Sequence, residues 1–370
     1  MKNDYEFWEQ YLKKLTKEIT KLSRKKDKLF IDLHLHSNYS ADGKQSVNQI
    51  IENTRERGFD IIAITDHDSV DAYDELFSIV KNGLTSPLII PGIEFTMDNR
   101  AYGSQCHLLQ LFINPKDKSL LSNVNHNKKA MFNRSKIQFQ RLKDNITIQT
   151  ILKENKIKIS YEEYISYLEN NNLIPEYDTL CFYLIDKFKA KKITTFKILD
   201  LLEKNNKLDC YQDRMEYKER RYQKLRGKYT MEEKNNYNSR LLLSMLAVRE
   251  VDDDWWDKPS SGSLSVNSYG QLKISELNNN YKIFFAHPEE KQLPIVEDII
   301  TNNKQFIGVE KNIRNNYENL DNLYNLAKKL KLLTIIGSDS HDNTGEFYCD
   351  MNFYAIDSSS FLGVVKKTIG

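Results

Sequence analysis

The sequence has few cysteines and no long apolar run, and each absence narrows the class of protein. Its four cysteines lie far apart, so none forms the CxxC pair of a zinc ribbon or a redox motif. We therefore expect a reducing compartment, with the cytoplasm as the default. The most apolar stretch, residues 241–248, is far shorter than the roughly 18 residues that span a membrane. The first residues lack the apolar segment of a signal peptide, so we expect no membrane association.

Three catalytic signatures are also missing from the sequence. It contains no P-loop for nucleotide phosphates, no Gly-rich dinucleotide fingerprint and no nucleophile elbow of a serine hydrolase. Hydrolysis by a metal-bound hydroxide requires none of these motifs, so this chemistry stays open.

The net charge of +2 is unevenly distributed along the chain. Residues 128–250 contain 26 Lys and Arg against 17 Asp and Glu, a net charge of +9. Residues 31–127 have a net charge of −6, and residues 251–370 a net charge of −5. Carboxylates gathered around metal ions would produce such acidic blocks, and a basic neighbour would suit a polyanionic substrate. The solvated faces of Lys-rich helices explain the basic block equally well.

The chain opens with an amphipathic segment, residues 1–28. Within residues 5–26, Trp8, Leu12, Leu15, Ile19 and Leu22 recur at helical spacing, which predicts one helix with a single apolar face. Such a face packs on the rest of the chain or on a partner protein, and packing within the chain is the commoner outcome.

Short apolar segments alternate with helical ones in residues 29–114 and again in residues 281–370. Helices are predicted at 46–57, 70–82, 290–303 and 316–331. This alternation is typical of an α/β fold with a parallel sheet or barrel, and about seven units favour a seven-fold barrel over an open sheet. The predicted strands are Leu29–Leu33, Ile61–Thr65, Leu88–Ile93, Leu108–Ile113, Tyr281–Ala286, Phe306–Val309 and Leu332–Ile336.

Residues 115–280 do not follow this alternation. They are rich in Lys, Asn, Tyr and Leu, and their apolar residues recur at helical spacing from 129 to 250. We interpret this segment as a large, mostly helical insertion between the two parts of the barrel.

Six of the seven histidines stand at or just beyond the end of a predicted strand, whereas His126 falls in the insertion. The carboxyl ends of barrel strands meet around one cavity, so these side chains should converge. His34 and His36 are two apart on one strand and therefore face the same side. The six histidines are His34, His36, His67, His107, His287 and His341.

Three carboxylates accompany these histidines. Glu94 ends a strand after Pro91-Gly92-Ile93, Asp339 precedes His341 by two residues, and Asp42 follows His36 in a loop. A single motif of this kind is more often a polar residue at a strand end with no special role. Nine such side chains in one cavity, six histidines and three carboxylates, would be electrostatically intolerable without cations. Imidazole and carboxylate ligands without thiolate suit Mn, Zn or Fe(II), and nine are enough for two or three ions. We expect Cys106 to lie in the core and not to bind metal.

The motifs resemble those of the PHP (polymerase and histidinol phosphatase) superfamily, in the family's order and over roughly residues 31–113 and 281–357. The resemblance implies a distorted (β/α)7 PHP barrel, a stand-alone metal-dependent phosphoesterase and a bridging hydroxide as the nucleophile. Between His36 and Asp42 the spacing is longer than is usual in the family. The matching stretches are Asp32–Ser37, Thr65–Asp68, Pro91–Glu94, His107, Ala286–Pro288 and Gly337–His341.

The resemblance also distributes the ligands over three ions. His34, His36, Glu94 and Asp339 would bind the first; Glu94, His107 and His287 the second; Asp42, His67 and His341 the third. Asp66 and Glu310 would orient histidines from behind, or play a plain structural role.

Basic residues interleaved with tyrosines favour a nucleic acid substrate, cut from an end. Lys129, Arg134, Arg220 and Arg221 are the candidate substrate-binding residues. A phosphatase of nucleotides or other small phosphomonoesters is the first alternative, and a non-catalytic PHP scaffold is the second. Some stand-alone PHP proteins work beside ATPases in defence against foreign DNA, so a partner ATPase is a further hypothesis; the N-terminal helix and Trp255-Trp256 could dock it.

Overall fold

A computed structural model describes residues 2–40, 43–83, 86–99, 104–144, 146–171, 173, 175, 177–191, 272–277, 280–288, 293–312, 317–341 and 351–370. The chain divides into two compact units. Met1–Ala130 and Gly270–Gly370 form the first, and Met131–Tyr269 form the second. The domain bounds at residues 28, 114 and 280 stay a prediction.

Eight strands of the first unit form one curled sheet in the order β7-β6-β5-β4-β3-β2-β1-β8. Each strand that the sequence predicts is present; β3 runs six residues past its predicted end, and the other ends differ by at most four residues. The strands are β1 Lys28–Leu35, β2 Ile61–Ile64, β3 Leu88–Asn99, β4 Ser104–Leu111, β5 Ile283–Phe285, β6 Phe306–Asn312, β7 Leu333–Gly337 and β8 Ala355–Asp357.

The curled sheet closes at the carboxyl end of β1. The N–H of Asp339 donates to the carbonyl of His34 (2.9 Å), and the N–H of His36 donates to the carbonyl of Ser340 (3.0 Å). At its other end, β1 pairs antiparallel with β8. Seven strands therefore form a distorted barrel with β8 attached, which confirms the predicted fold class.

The parallel arrangement that the alternation predicts is wrong for β4. This strand runs antiparallel to both of its neighbours, β3 and β5, whereas β1–β2–β3 and β5–β6–β7 pair in parallel. The start of β4 therefore lies beside the carboxyl ends of the other strands, where His107 pairs with Thr96. His107 reaches the histidine-rich end of the barrel because of this reversal, although it stands near the beginning of its strand.

The helices of the first unit cover the outside of the barrel. They are α1 Lys2–Ser23, α2 Val47–Glu56, α3 Ala72–Lys81, the start of α4 Lys118–Asp144, α8 Leu293–Asn302, α9 Tyr317–Lys329 and α10 Ser358–Ile369. A capping box of Ser46 and Gln49 begins α2, and the side chain of Asp357 caps α10. The sequence pattern predicted neither β8 nor α10.

The apolar face of α1 packs within its own chain. Trp8 and Ile19 are fully buried, and Trp8 packs edge-to-face on Tyr73 at a centroid distance of 5.6 Å. The hydroxyl of Tyr11 donates to the carbonyl of Ile89 in β3 (2.7 Å). The helix therefore packs within its own chain, which is the commoner of the two outcomes considered above, and its apolar face is already covered.

Most of the described residues of the second unit are helical, as the periodicity predicts. After the second half of α4 come α5 Ile146–Glu154, α6 Tyr161–Asn170 and α7 Tyr177–Ala190. They share a core that includes Phe139, Tyr164 and Tyr183. In the described parts of the chain, we find no helix with both the length and the apolarity to span a bilayer.

Candidate metal centre

The carboxylate of Glu94 is the point on which five histidines converge. Glu94 follows Ile93 in β3, just past the parallel pairing with β2, and it is fully buried. Its contacts come from several strand ends and from both carboxylate oxygens. Oε2 lies 2.9 Å from His34 Nε2, 3.1 Å from His36 Nε2 and 3.2 Å from His67 Nδ1, and Oε1 lies 3.1 Å from both His107 Nδ1 and His287 Nε2.

Asp339 and His341 complete the cluster from the loop after β7. Oδ1 of Asp339 lies 3.2 Å from His36 Nε2 and 3.6 Å from His341 Nε2. The rings of His36 and His341 are parallel, with centroids 4.3 Å apart. Eight of the nine predicted ligands thus share one site, and the ninth, Asp42, lies outside the described residues.

The ligand atoms fall into three overlapping groups, and within each group they lie at most 4.8 Å apart. The groups share His67 and Glu94 with one another, as closely spaced ions would require. They are His36, His67 and His341; His34, Glu94, His287 and Asp339; and His67, Glu94 and His107.

The donor set fits divalent cations. Two ligands at 2.0–2.1 Å from one tetrahedral ion lie about 3.3 Å apart, close to the separations around Glu94. Each donor is an imidazole nitrogen or a carboxylate oxygen, the combination that Mn, Zn and Fe(II) accept. The same cluster therefore has both the spacing and the chemistry of a metal centre, and metal binding by these eight side chains stays a prediction.

The pKa shifts show how strongly the buried charges interact. Burial alone would raise the pKa of Glu94, but His34, His67 and His107 outweigh it and lower that pKa well below its usual range. Burial would lower the pKa of His36, but hydrogen bonds from its ring to Asp339 and Glu94 raise it to about 10. The buried carboxylates therefore stabilise positive charge next to them. Either protons on the imidazole rings or bound cations can supply that charge.

Three residues of the site have an unusual backbone conformation. Asp68, His287 and Asp339 have φ values of +48°, +27° and +54°, which non-glycine residues rarely adopt. Strain of this kind persists only where the surroundings impose it, and it concentrates at functional sites. The loops after β2, β5 and β7 are thus held in conformations that direct His67, His287 and Asp339 towards Glu94.

Glu310 lies behind His34, at the position that an orienting group would take. Its Oε1 accepts from the Nδ1–H of His34 (2.9 Å) and from the side-chain amide of Asn312 (3.0 Å). Its Oε2 accepts from the backbone N–H of His287 (2.7 Å). This geometry is the one that the predicted orienting role requires.

The side chain of Asp66 is hydrogen-bonded to the end of the first motif, Asp32–Ser37. Its two carboxylate oxygens accept from the N–H and the hydroxyl of Ser37, each at 2.6 Å. Because Ser37 directly follows His36, the carboxylate fixes the chain where the His34–His36 strand ends. Its role as an orienting group stays a prediction.

Sequence reasoning missed four residues that support the site. The hydroxyl of Ser40 lies 3.2 Å from His36 Nδ1, and Asp68 accepts from Thr96 and Asn127. Asp32 is a fully buried residue of β1, and Gly337 leaves room for the contact between His34 and Glu310. Asp32 and Asp68 stand inside the predicted motifs, so their position was a usable signal. Gly337 also stands in a predicted motif, but its role, like that of Ser40, follows from contacts that only the folded geometry shows.

The described residues do not test the predicted substrate-binding set as a group. Lys129 is exposed on α4 in the first unit, and Arg134 belongs to the second unit. Arg220 and Arg221 lie outside the described residues, as does the Trp255-Trp256 segment. The assignment of these four residues to substrate therefore stays a prediction. His126 is exposed on α4, and Cys106 is buried in the core, as expected.

Comparison with known proteins finds one family model and several solved structures that match this chain. The family model of the PHP domain matches residues 32–207. A Bifidobacterium adolescentis protein, proposed to be a metal-dependent phosphoesterase, is 17% identical with a TM-score of 0.49 over 84% of this chain and 87% of its own. An amidohydrolase from Chromobacterium violaceum, solved with bound sulfate and no metal, is 15% identical and has a TM-score of 0.47. The match covers 89% of this chain and 98% of the amidohydrolase.

PsfC from Pseudomonas syringae is 10% identical with a TM-score of 0.30 over 93% of this chain and 100% of its own. No curated protein matches the chain significantly. The family match begins at Asp32, immediately before the His34–His36 pair, and includes Glu94 and His107. The match to the PHP domain thus supports the assignment of this chain to the PHP superfamily that its motifs resemble.

Proposed function

We propose that the protein is a metal-dependent phosphoesterase that cleaves phosphodiester bonds of nucleic acid from an end. The observation that supports the hydrolytic part is the convergence of eight predicted ligands around the buried carboxylate of Glu94. Two or three divalent ions of Mn, Zn or Fe would occupy these groups. When bound, such ions lower the pKa of water and polarise the oxygens of a phosphoryl group.

The side chains around the ligands set up that chemistry. Glu310 holds the Nδ1–H of His34, and Ser40 lies at Nδ1 of His36, so the Nε2 atoms of both rings face Glu94 and Asp339. The ligands keep this arrangement because backbone hydrogen bonds join β1 to the loop after β7 and join β3 to the loop after β2. A preorganised cluster of this kind loses little free energy on reordering when ions and substrate bind.

The charge distribution supports a polyanionic substrate. Residues 128–250 have a net charge of +9, next in sequence to the acidic segments that contain the site residues. Lysine and arginine neutralise phosphates along a nucleic acid backbone, and a small phosphomonoester would not require so many of them. This favours a nuclease over the alternative, a phosphatase of nucleotides or small phosphomonoesters.

A non-catalytic scaffold is the less favoured alternative, because a site without selection for chemistry would be expected to lose some of its ligands. A partner ATPase and a role in defence against foreign DNA remain part of the proposal, with the cytoplasm as the expected compartment. The apolar face of α1 is covered within the chain, so a partner would have to use another surface.

One experiment separates these functions. The protein is purified without added metal, its metal content is measured, and it is incubated with Mn²⁺ and either a labelled oligonucleotide or p-nitrophenyl phosphate. We expect shortening of the oligonucleotide from one end. Cleavage of p-nitrophenyl phosphate alone would overturn the nuclease assignment, and no hydrolysis of either substrate by a metal-loaded protein would favour the scaffold.

Matched variants test whether the cluster is responsible. His34→Ala and Asp339→Ala should each abolish hydrolysis while circular dichroism shows a folded protein, because each removes a ligand atom next to Glu94 or His36. His126→Ala is the control, since His126 is exposed and outside the cluster. Full activity of both cluster variants would exclude this site.

A further inference from the structure

Asn127 is a fully buried residue of α4 whose side chain joins three segments of the first unit. Its Nδ2 donates to Oδ1 of Asp68 (2.7 Å) and to the carbonyl of Thr96 in β3 (3.0 Å). Its Oδ1 accepts from the backbone N–H of Leu272 (2.9 Å). Both ends of the amide are thus used, and a buried amide with all its partners fixes those partners in space.

The loop from Asp66 to Asp68 is the segment that this amide fixes to β3. The backbone already links the two, because the N–H of Asp68 donates to the carbonyl of Glu94 (2.8 Å) and the N–H of Glu94 donates to the carbonyl of Asp66 (3.2 Å). The side chain of Asp68 accepts from the N–H of Thr96 (3.2 Å) and from Asn127. Since Asp68 has a φ of +48°, its conformation depends on these partners.

The loop in turn positions a predicted ligand. His67 lies between Asp66 and Asp68, and its Nδ1 is 3.2 Å from Oε2 of Glu94. If Asp68 relaxed to an ordinary backbone conformation, the His67 ring would move relative to Glu94. Asn127 therefore acts on the cluster through Asp68, without itself lying among the ligand atoms.

The same side chain marks the place where the chain leaves and re-enters the first unit. Asn127 precedes residues 131–269, and Leu272 follows them. The hydrogen bond between these two residues ties the outgoing and the returning segments together at the loop of His67. A change in either segment would thus reach the His67 loop through one amide group.

We infer that Asn127 is a positioning residue that holds the His67 loop against β3 and links it to both segments flanking residues 131–269. The effect on metal affinity rests on the proposed function, whereas the effect on the loop does not. Groups that orient metal ligands from behind typically change metal affinity by about 10- to 100-fold when they are removed.

Asn127→Ala tests this role, and Asn123→Ala is its matched control. Asn123 stands one turn earlier on α4 and is also buried, but its Nδ2 has no hydrogen-bond partner among the described residues. In Asn127→Ala, hydrogen–deuterium exchange at the Asp68 amide should rise about tenfold or more, and Mn²⁺ titration should show about tenfold weaker binding. Asn123→Ala should leave both measurements at the wild-type level.

An exchanged pair keeps the test informative if Asn127→Ala does not fold. Asn127→Asp places a second carboxylate beside Asp68 and removes the donor between them, so exchange at the loop should rise. Adding Asp68→Asn restores a donor between the two positions and should bring exchange back towards the wild-type rate. Equal behaviour of Asn127→Ala and Asn123→Ala, or no recovery in the double variant, would overturn the inference. If the wild-type protein binds no Mn²⁺, the proposed function fails, and the exchange rates still decide the role of Asn127.

Discussion

The imidazole of His34 lies between two buried carboxylates: its Nδ1 is 2.9 Å from Oε1 of Glu310, and its Nε2 is 2.9 Å from Oε2 of Glu94. An ionised carboxylate only accepts hydrogen bonds, so Glu310 keeps the proton on Nδ1. Nε2 is then free to serve as the ligand atom on the side of Glu94. The tautomer of His34 is thus set from outside the cluster, by a residue from a different strand, β6.

Replacing Glu310 should weaken metal binding without unfolding the protein. In Glu310→Gln, the amide oxygen can still accept from His34, but the amide nitrogen then faces the N–H of His287, which it cannot accept. We expect roughly tenfold weaker Mn²⁺ binding by titration. Glu297→Gln, at a partly exposed position on α8, is the control. Unchanged affinity in Glu310→Gln would show that the carboxylate only fills space.

The space for this contact depends on Gly337. A Cβ at this position would lie 2.1 Å from Oε1 of Glu310 and 2.5 Å from Cβ of His34. Gly337→Ala should therefore force the pair apart, lower the free energy of unfolding by about 2 kcal/mol or more, and weaken Mn²⁺ binding. Urea unfolding of the metal-free protein and a Mn²⁺ titration measure the two effects.

Gly363→Ala is the matched control for Gly337→Ala. Gly363 lies within α10, and a Cβ there would have no heavy atom within 4 Å. Alanine favours a helix over glycine, so this change should raise the free energy of unfolding by about 0.5–1 kcal/mol. Opposite signs for the two glycines would support the steric argument, and two losses of equal size would contradict it.

The sequence predicts the barrel and the ligand set because both follow local rules. Aliphatic strands such as Ile61–Ile64 are short and fully buried, and a polar residue at the exit of such a strand is conspicuous. Once the strands share one edge, the side chains at their ends meet without further assumptions. His67 and Glu94, 27 residues apart in the chain, could therefore be predicted to lie in one site.

What the sequence did not predict depends on contacts between distant segments. The direction of β4 is decided by its pairing with β3 and β5. The pattern of apolar residues in a strand does not indicate whether it pairs parallel or antiparallel with its neighbours. Ser40 is one of many serines, and only the fold places its hydroxyl at His36. The short strand β8 has three residues, too few for a periodic pattern to appear.

Ser40→Ala should weaken metal binding less than Glu310→Gln. The hydroxyl lies 3.2 Å from Nδ1 of His36 and accepts from the N–H of His67, also at 3.2 Å. Only the first of these bonds reaches a ligand ring, and one such bond is worth about 1 kcal/mol, so the loss of Mn²⁺ affinity should be roughly fivefold. Ser358→Ala, a buried serine that donates to the carbonyl of Lys26, is the control. A larger effect in Ser358→Ala would refute the assignment.

Asp32→Asn should stabilise the metal-free protein, and more at neutral pH than in acid. Burial raises the pKa of Asp32 to about 6, although hydrogen bonds from Ser338 oppose the rise. The folded protein therefore binds this proton more tightly than the unfolded chain, and the contribution of Asp32 to stability falls as the pH rises from about 4 to above 6. Asparagine keeps an oxygen that can accept from the N–H groups of Ser338 and His34, and it has no charge to bury.

The two proteins are compared by urea unfolding in the presence of a chelator, because bound cations would favour the charged carboxylate. At pH 7.5, above the folded pKa, Asp32→Asn should have a free energy of unfolding higher by about 2–3 kcal/mol. The difference should shrink as the pH approaches 4, where Asp32 is protonated in the folded protein. A gap that is the same at both pH values would show that the substitution acts through packing, and a less stable variant at pH 7.5 would show that the carboxylate is held in its charged form even without metal.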